Sequence, residues 1–289
     1  MTDIRVLLLA AIILLATLFV WRWWHSIDRR SGERLRPTLL QIVIGFFVNF
    51  FDTLGIGSLA TTTAAFKALR MVPDERLPGT MIVGLTLPVV AQALIFITKV
   101  EIDSTLLFLM IGTAIAGGFF GAGIVSRLPR RPIQMAMGSA LLLAALFMTV
   151  AQLNRMPVGG TALSLDGAAL WIALGTNFVL GALLMVGVGN YGPTFVLLSA
   201  LGMDPRAAFP IMMGSGAFAA LLGCLAFLKQ RSQVNQPAFG LTLGGVPGVL
   251  VAALLVTSMP ITLLRWLIIG VVMYAAITML RSASQQTAA

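Results

Sequence analysis

Phe51-Asp52-Thr53-Leu54-Gly55-Ile56-Gly57-Ser58 and Leu183-Leu184-Met185-Val186-Gly187-Val188-Gly189-Asn190 each interrupt a long apolar run with a Gly-x-Gly pair, and the pairs stand 132 residues apart, at 55 and 187. At the same offset Ala68-Leu69-Arg70-Met71 lines up with Ala200-Leu201-Gly202-Met203, Pro78 with Pro210, Met81 with Met213, Gly84 with Gly216 and Lys99 with Arg231. One register kept without a gap from residue 55 to residue 231 marks an internal duplication, which bears on the fold before any local reading does. In an apolar chain, Gly-interrupted hydrophobic segments at corresponding places in two halves also point to a transport site.

The surroundings of these breaks are those of a membrane protein. Hydrophobic residues make up 58% of the chain and charged residues 10%, against about 25% charged in soluble domains; the mean hydropathy is +0.98. The net charge of +9 does not indicate nucleic acid, because the basic residues fall in short connectors between apolar runs, where membrane orientation accounts for them. The one cysteine, Cys224, lies inside an apolar run, so no intramolecular disulfide and no cysteine metal motif is possible; it reads as a small packing residue. His25, the one histidine, sits beside Trp21, Trp23 and Trp24 at a helix end and reads as part of an interfacial anchor. Trp-Arg-Trp-Trp-His follows the apolar run at 6–20 where a signal peptide would have small residues, so a retained first helix is expected, with its N-terminus outside and the C-terminus of the chain cytoplasmic.

Nine apolar segments follow from the hydropathy, at about 6–24, 39–69, 78–98, 104–126, 132–152, 168–202, 207–228, 237–258 and 262–280. Seven suit one helical crossing. The second and sixth are too long for one helix of about 20 residues, and these two contain the breaks. If both return to the side they entered, the cytoplasm receives fourteen of the 19 Lys and Arg residues, including the groups Lys67–Arg76 and Arg127–Arg131; if each crosses once, the split falls to ten against nine. The positive-inside rule selects the returning topology. Each half then holds one broken hairpin and three crossings, an odd number, so the second half is inverted relative to the first. The expected architecture is an all-α membrane domain: residues 1–38 as first helix and cytoplasmic linker, 39–152 as one repeat and 168–281 as its inverted copy, with the breaks near the bilayer midplane.

A break at membrane depth leaves backbone groups without helical partners, which is tolerable only under protein or beside a water-filled cavity. Beyond each break the next half-helix presents free N–H groups and the positive end of its dipole, so it can hold an oxyanion without a cationic side chain. No Lys or Arg lies in the middle of these spans, so an anion site here has to use such groups. Asn49, Asp52, Thr53, Gly55, Gly57, Ser58, Thr61 and Thr62 surround the first break, and Asn177, Gly187, Gly189, Asn190, Tyr191 and Thr194 the second; these form the candidate substrate site. The alternative is that the small and hydroxyl residues mediate helix packing. Asp52 is the one acid deep in an apolar segment, where burying a charge costs at least ~2.5–3.5 kcal/mol. It reads either as a proton-coupling group or as a neutral cap for orphaned backbone groups. The second half has Leu184 in its place. Neither Gly-x-Gly pair has the βαβ context of a nucleotide loop, and one His with one buried Asp assembles no catalytic set, so neither an enzyme nor a cofactor is expected.

The duplicated layout, with Gly55-Ile56-Gly57 and Pro78 in one half and Gly187-Val188-Gly189, Pro193 and Pro210 in the other, resembles the TauE/SafE family over about residues 39–281. That family comprises sulfite and organosulfonate exporters, also called the toluene-sulfonate uptake permease group. The first half departs from it with Thr61 where the second has Pro193. The resemblance implies a bacterial inner-membrane carrier for small sulfur-containing anions, driven by an ion gradient, with the anion and the lipid bilayer as its partners. An anion channel, a carrier for another small anion, and homo-oligomerisation stay open.

Overall fold

The computed structural model describes residues 2–27, 35–121, 130–153, 160–185 and 190–285. Of the features expected from sequence, the linker residues 28–34, Arg127, Gly187 and Gly189 lie outside these. Among the described residues there are eleven α-helices and no β-strand, only one isolated bridge between Ala162 and Met203. The helices are α1 (Thr2–Ser26), α2 (Leu39–Thr53), α3 (Ser58–Ala68), α4 (Leu77–Lys99), α5 (Ser104–Ala116, continued by a π-helical turn Gly117–Gly121), α6 (Arg130–Leu153), α7 (Gly167–Met185), α8 (Tyr191–Ala200), α9 (Ala208–Gln230, preceded by a 3₁₀ turn Pro205–Ala207), α10 (Asn235–Ser258) and α11 (Ile261–Gln285). Seven of them are long and apolar enough to cross a membrane.

The register found in the sequence returns in the helix ends. Shifted by 132 residues, α3, α4 and α6 fall on α8, α9 and α11 to within a residue, and α2 ends at Thr53 where α7 ends at Met185. Even the caps repeat. Met71 N–H donates to Phe66 O (3.0 Å) and Arg70 N–H to Lys67 O (3.1 Å) after α3, while Met203 N–H donates to Leu198 O (3.0 Å) and Gly202 N–H to Ser199 O (3.2 Å) after α8. This is the two-bond Schellman pattern, whose turning residue needs a left-handed backbone. Gly202 adopts it without strain at φ 81°, whereas Arg70 holds φ 49° with a side chain attached.

Two places depart from the expected spans. In the segment expected to cross as 104–126, of which 122–126 lie outside the described residues, the α-helix passes at Gly117 and Gly118 into a π turn. The sixth segment breaks later than the second relative to its start. Pro37 and the capping box of Thr38 and Gln41, in which Thr38 Oγ1 accepts from Gln41 N–H (3.3 Å) and Gln41 Oε1 from Thr38 N–H (2.9 Å), fix the start of α2 at Leu39. Without that box α7 begins one turn earlier in register, at Gly167, and is itself long enough to span.

The chain divides into two compact units, residues 2–99 with 216–257, and residues 100–215 with those from 258 onward. In the first, α10 lies against α2 and α4 through glycines: a Cβ on Gly45 would stand 2.6 Å from Gly240 O, and one on Gly84 2.9 Å from Ala238 Cα. Such close backbone approach replaces the hydrophobic driving force that lipid does not supply. Pro88, inside α4, cannot donate to Gly84 O; Thr242 Oγ1 of α10 donates to that carbonyl instead, at 2.7 Å. Val48, Phe66, Val72, Leu77, Met81, Leu85 and Leu241 form the core beneath. Trp23 of α1 is buried there, donating its ring N–H to Asn235 Oδ1 (2.9 Å) and stacking on Phe239.

In the second unit, α5 and α7 meet through Gly117 against Phe178 O and Gly181 against Ala114 O. α11 packs on α6 and α8, with Gly138 under Leu280 and Gly192 under Ala275. Residues 160–166 are stitched down by Gly160 N–H to Met203 O (3.1 Å), Asp204 N–H to Ala162 O (2.9 Å) and Asp103 N–H to Leu163 O (2.9 Å). The helices are exchanged between halves. α10 is fourth in the second half yet packs with α2 and α4, and its counterpart α5 packs with α7.

Candidate functional site

The first break is built by the backbone. Gly55 N–H donates to Asp52 O (2.8 Å) and Ile56 N–H to Phe51 O (3.1 Å), closing α2 with Gly55 at φ 100°. Gly57, at φ 90°, then turns the chain into α3. As the N-cap of α3, Gly57 has no side chain to accept from the first free N–H groups. Asp52 stands in its place: its carboxylate lies beside Ser58, the first residue of α3. The carboxylate thus sits on the positive end of the α3 dipole, the place a negative group is favoured.

A polar cluster surrounds that carboxylate inside the first unit. Gln92 of α4 donates from Nε2 to Asp52 Oδ2 and to Thr53 Oγ1, both at 2.9 Å. Thr53 Oγ1 donates to Asn49 O (2.7 Å) and Asn49 Nδ2 to Gly45 O (2.8 Å). Asn49, Asp52, Thr53 and Gln92 are each at most 2% exposed. Asn49 Oδ1, Gln92 Oε1 and Thr62 Oγ1 have no hydrogen-bond partner among the described residues. Thr61 is spent locally, its hydroxyl donating back to Gly57 O (3.2 Å) and Ser58 O (2.9 Å).

In the second unit Asn190 is the N-cap of α8 and buried, its backbone carbonyl accepting from Thr194 N–H at 3.0 Å, with no capping bond from its side chain. Pro193 falls in the first turn, as its missing N–H allows. Thr194 is fully buried and its hydroxyl has no partner among the described residues. Thr194 stands 132 residues after Thr62, so the same unpartnered hydroxyl recurs in the half-helix that follows each break. Tyr191 is half-buried at the start of α8. Asn177 is placed differently: its Nδ2 donates to Met110 O at 2.5 Å and ties α7 to α5.

The break residues are therefore gathered separately within each unit: Asn49, Asp52, Thr53 and Ser58 in one, Asn190 and Thr194 in the other. Gln92 was not among the residues singled out from the sequence. An amide in the middle of the apolar run at 78–98 is as conspicuous as Asp52 in its own run, and that was the available signal. Cys224 is fully buried, its Sγ donating to Leu221 O (3.0 Å), as a packing residue would be. Among the described residues no three His, Cys, Asp or Glu side chains group as a metal site.

Known proteins supply the rest. The family model described as Sulfite exporter TauE/SafE matches residues 2–148, from α1 through the first four helices of the duplicated fold and most of α6. Neither the curated proteins nor the solved structures compared with the chain include a match. The match covers half of the chain, and it coincides with the repeat that carries the Gly55–Gly57 break and the Asp52 cluster. This chain is a multi-pass membrane protein and belongs to the TauE/SafE family of transporters.

Proposed function

We propose that the protein is a secondary transporter that carries sulfite or small sulfonates across the bacterial inner membrane by alternating access, its two halves forming inverted repeats. Each helix break offers an anion groups of its own: free N–H groups at the start of α3 and the hydroxyl of Thr62 in one unit, and free N–H groups at the start of α8, the hydroxyl of Thr194 and the amide of Asn190 in the other. The observation that carries this reading is the pair Thr62 and Thr194, buried and unpartnered at equivalent positions just inside two half-helices. A buried hydroxyl left unmatched costs about 1–3 kcal/mol, a cost that a bound oxyanion would offset. The helix ends add attraction for negative charge without a buried cation.

Asp52 supplies the coupling. Two unit negative charges about 5 Å apart repel by roughly 3 kcal/mol at an effective dielectric of about 20. An anion arriving at the start of α3 therefore binds well only when the Asp52 charge is compensated, which ties anion occupancy to that of a positive ion.

The test is uptake of radiolabelled sulfite into liposomes holding the purified protein. Uptake should saturate and show counterflow, and Thr62→Val and Thr194→Val should each raise KM several-fold while leaving the amount of folded protein unchanged. Uptake that neither saturates nor shows counterflow would assign a channel instead.

A further inference from the structure

We propose that the Asp52 cluster is a binding site for a monovalent alkali cation, with sodium as the coupling ion, formed by Asp52 together with the amide oxygens of Asn49 and Gln92. The inference rests on the transport reading for its purpose, since it names the ion that compensates Asp52, but the site itself stands on the geometry of one unit.

The cluster has a surplus of acceptors. Gln92 has both described Nε2 bonds committed, to Asp52 Oδ2 and Thr53 Oγ1, so its head group cannot turn without losing them, and Oε1 is left without a donor. Asn49 is fixed in the same way by Nδ2 on Gly45 O, which leaves Oδ1 without a donor. Asn49 and Asp52 stand one turn apart on α2, hence on one face. Asn49 also stands near Pro88 of α4: a Cβ on Gly245 of α10 would be 2.5 Å from both Asn49 Nδ2 and Pro88 Cγ, and Pro88 precedes Gln92 by one turn. Asn49, Asp52 and Gln92 therefore lie within about one helical turn of one another along α2 and α4. Gln92 Nε2 donates to Oδ2 of the carboxylate, and Ser58 lies beside it. Part of the carboxylate's acceptor capacity is left open.

Buried oxygens without donors have the wrong sign for an anion and the right one for a hard cation, which takes carboxylate, amide and hydroxyl oxygens. One carboxylate balances one positive charge; a divalent ion would leave a net charge at membrane depth. The C-terminal end of a broken half-helix, where Asp52 sits, is also where transporters of this general build place coupling cations. Leu184 replaces Asp52 in the other half, and Gly181 and Cys224 replace Asn49 and Gln92, so the cation site is single and belongs to the first break.

The experiment measures binding of radioactive Na⁺ to the purified full-length protein, without any anion substrate, in N-methylglucamine buffer. One saturable Na⁺ site is expected per chain. Asp52→Asn and Asn49→Leu should each weaken it by about tenfold or more, the scale of losing one member of a metal site. Thr149→Ala, remote in sequence on α6, should leave it unchanged. A wild-type protein that folds and takes up no saturable Na⁺ overturns the proposal, as it would if waters or a proton satisfied the cluster. Na⁺ binding untouched in whichever of the two variants folds overturns it as well. Sulfite transport that proceeds equally without Na⁺ overturns sodium as the coupling ion and leaves the transport reading intact; Na⁺ binding without any sulfite transport removes the transport reading alone.

Discussion

At the scale of single residues, the first break depends on two glycines for a reason separable from packing. Gly57 holds φ 90°, and a Cβ added there would meet nothing within 4 Å. The cost of Gly57→Ala is therefore backbone strain alone, about 1–2 kcal/mol. Gly112 in α5 is equally open but has ordinary helical backbone, so Gly112→Ala should be neutral or stabilising by up to about 1 kcal/mol. Thermal melts of the two variants should move in opposite directions, and a Gly57→Ala protein as stable as wild type would mean that the break relaxes. The residue scale is also where the sequence is least complete. Asp52 and Ser58 are conspicuous in their run, but their closeness depends on how tightly Gly55 turns the chain. Gln92 becomes part of the cluster only because α4 lies beside α2, a contact made 40 residues away that no local pattern encodes.

At the scale of elements, α4 and α10 show how a defect in one helix is repaired by another. Pro88 orphans Gly84 O, and Thr242 Oγ1 takes over the role of the missing N–H at 2.7 Å. Thr242→Val leaves that carbonyl buried and unmatched, so unfolding free energy should fall by about 1–3 kcal/mol. In a Pro88→Ala background the helix regains its own donor, and the same Thr242→Val change should cost less than half as much. The double-mutant cycle measures the difference; purely additive effects would show that Thr242 is not the substitute donor. Element ends follow local chemistry at the Thr38–Gln41 box before α2 and at the repeated caps after α3 and α8. They were not legible at α5. Gly117 and Gly118 read as ordinary small residues in an apolar span, and the π turn reflects where Phe178 O comes against Gly117.

At the scale of the molecule, the offset of 132 residues was readable because both halves keep the same Gly and Pro positions, and the ends of α3, α4 and α6 recur at α8, α9 and α11. The exchange of α5 and α10 was not readable, because periodicity assigns helices to a chain segment and says nothing of which neighbour each one chooses. The direction of the second half depends on a different property, the parity of membrane crossings, which positive charge alone reports in the sequence. Lys99 and Arg231 decide it experimentally. They stand at the offset of 132, both are exposed, and they follow corresponding helices, α4 and α9. If the halves are inverted, Lys99 faces outside and Arg231 the cytoplasm. Cys224 is fully buried, so the native thiol contributes little background. Lys99→Cys should then react with an impermeant maleimide added to intact cells, and Arg231→Cys only after the membrane is opened. Labelling of both from the same side would mean an even number of crossings between them; the halves would then be parallel, and the long broken segments would cross the bilayer rather than return.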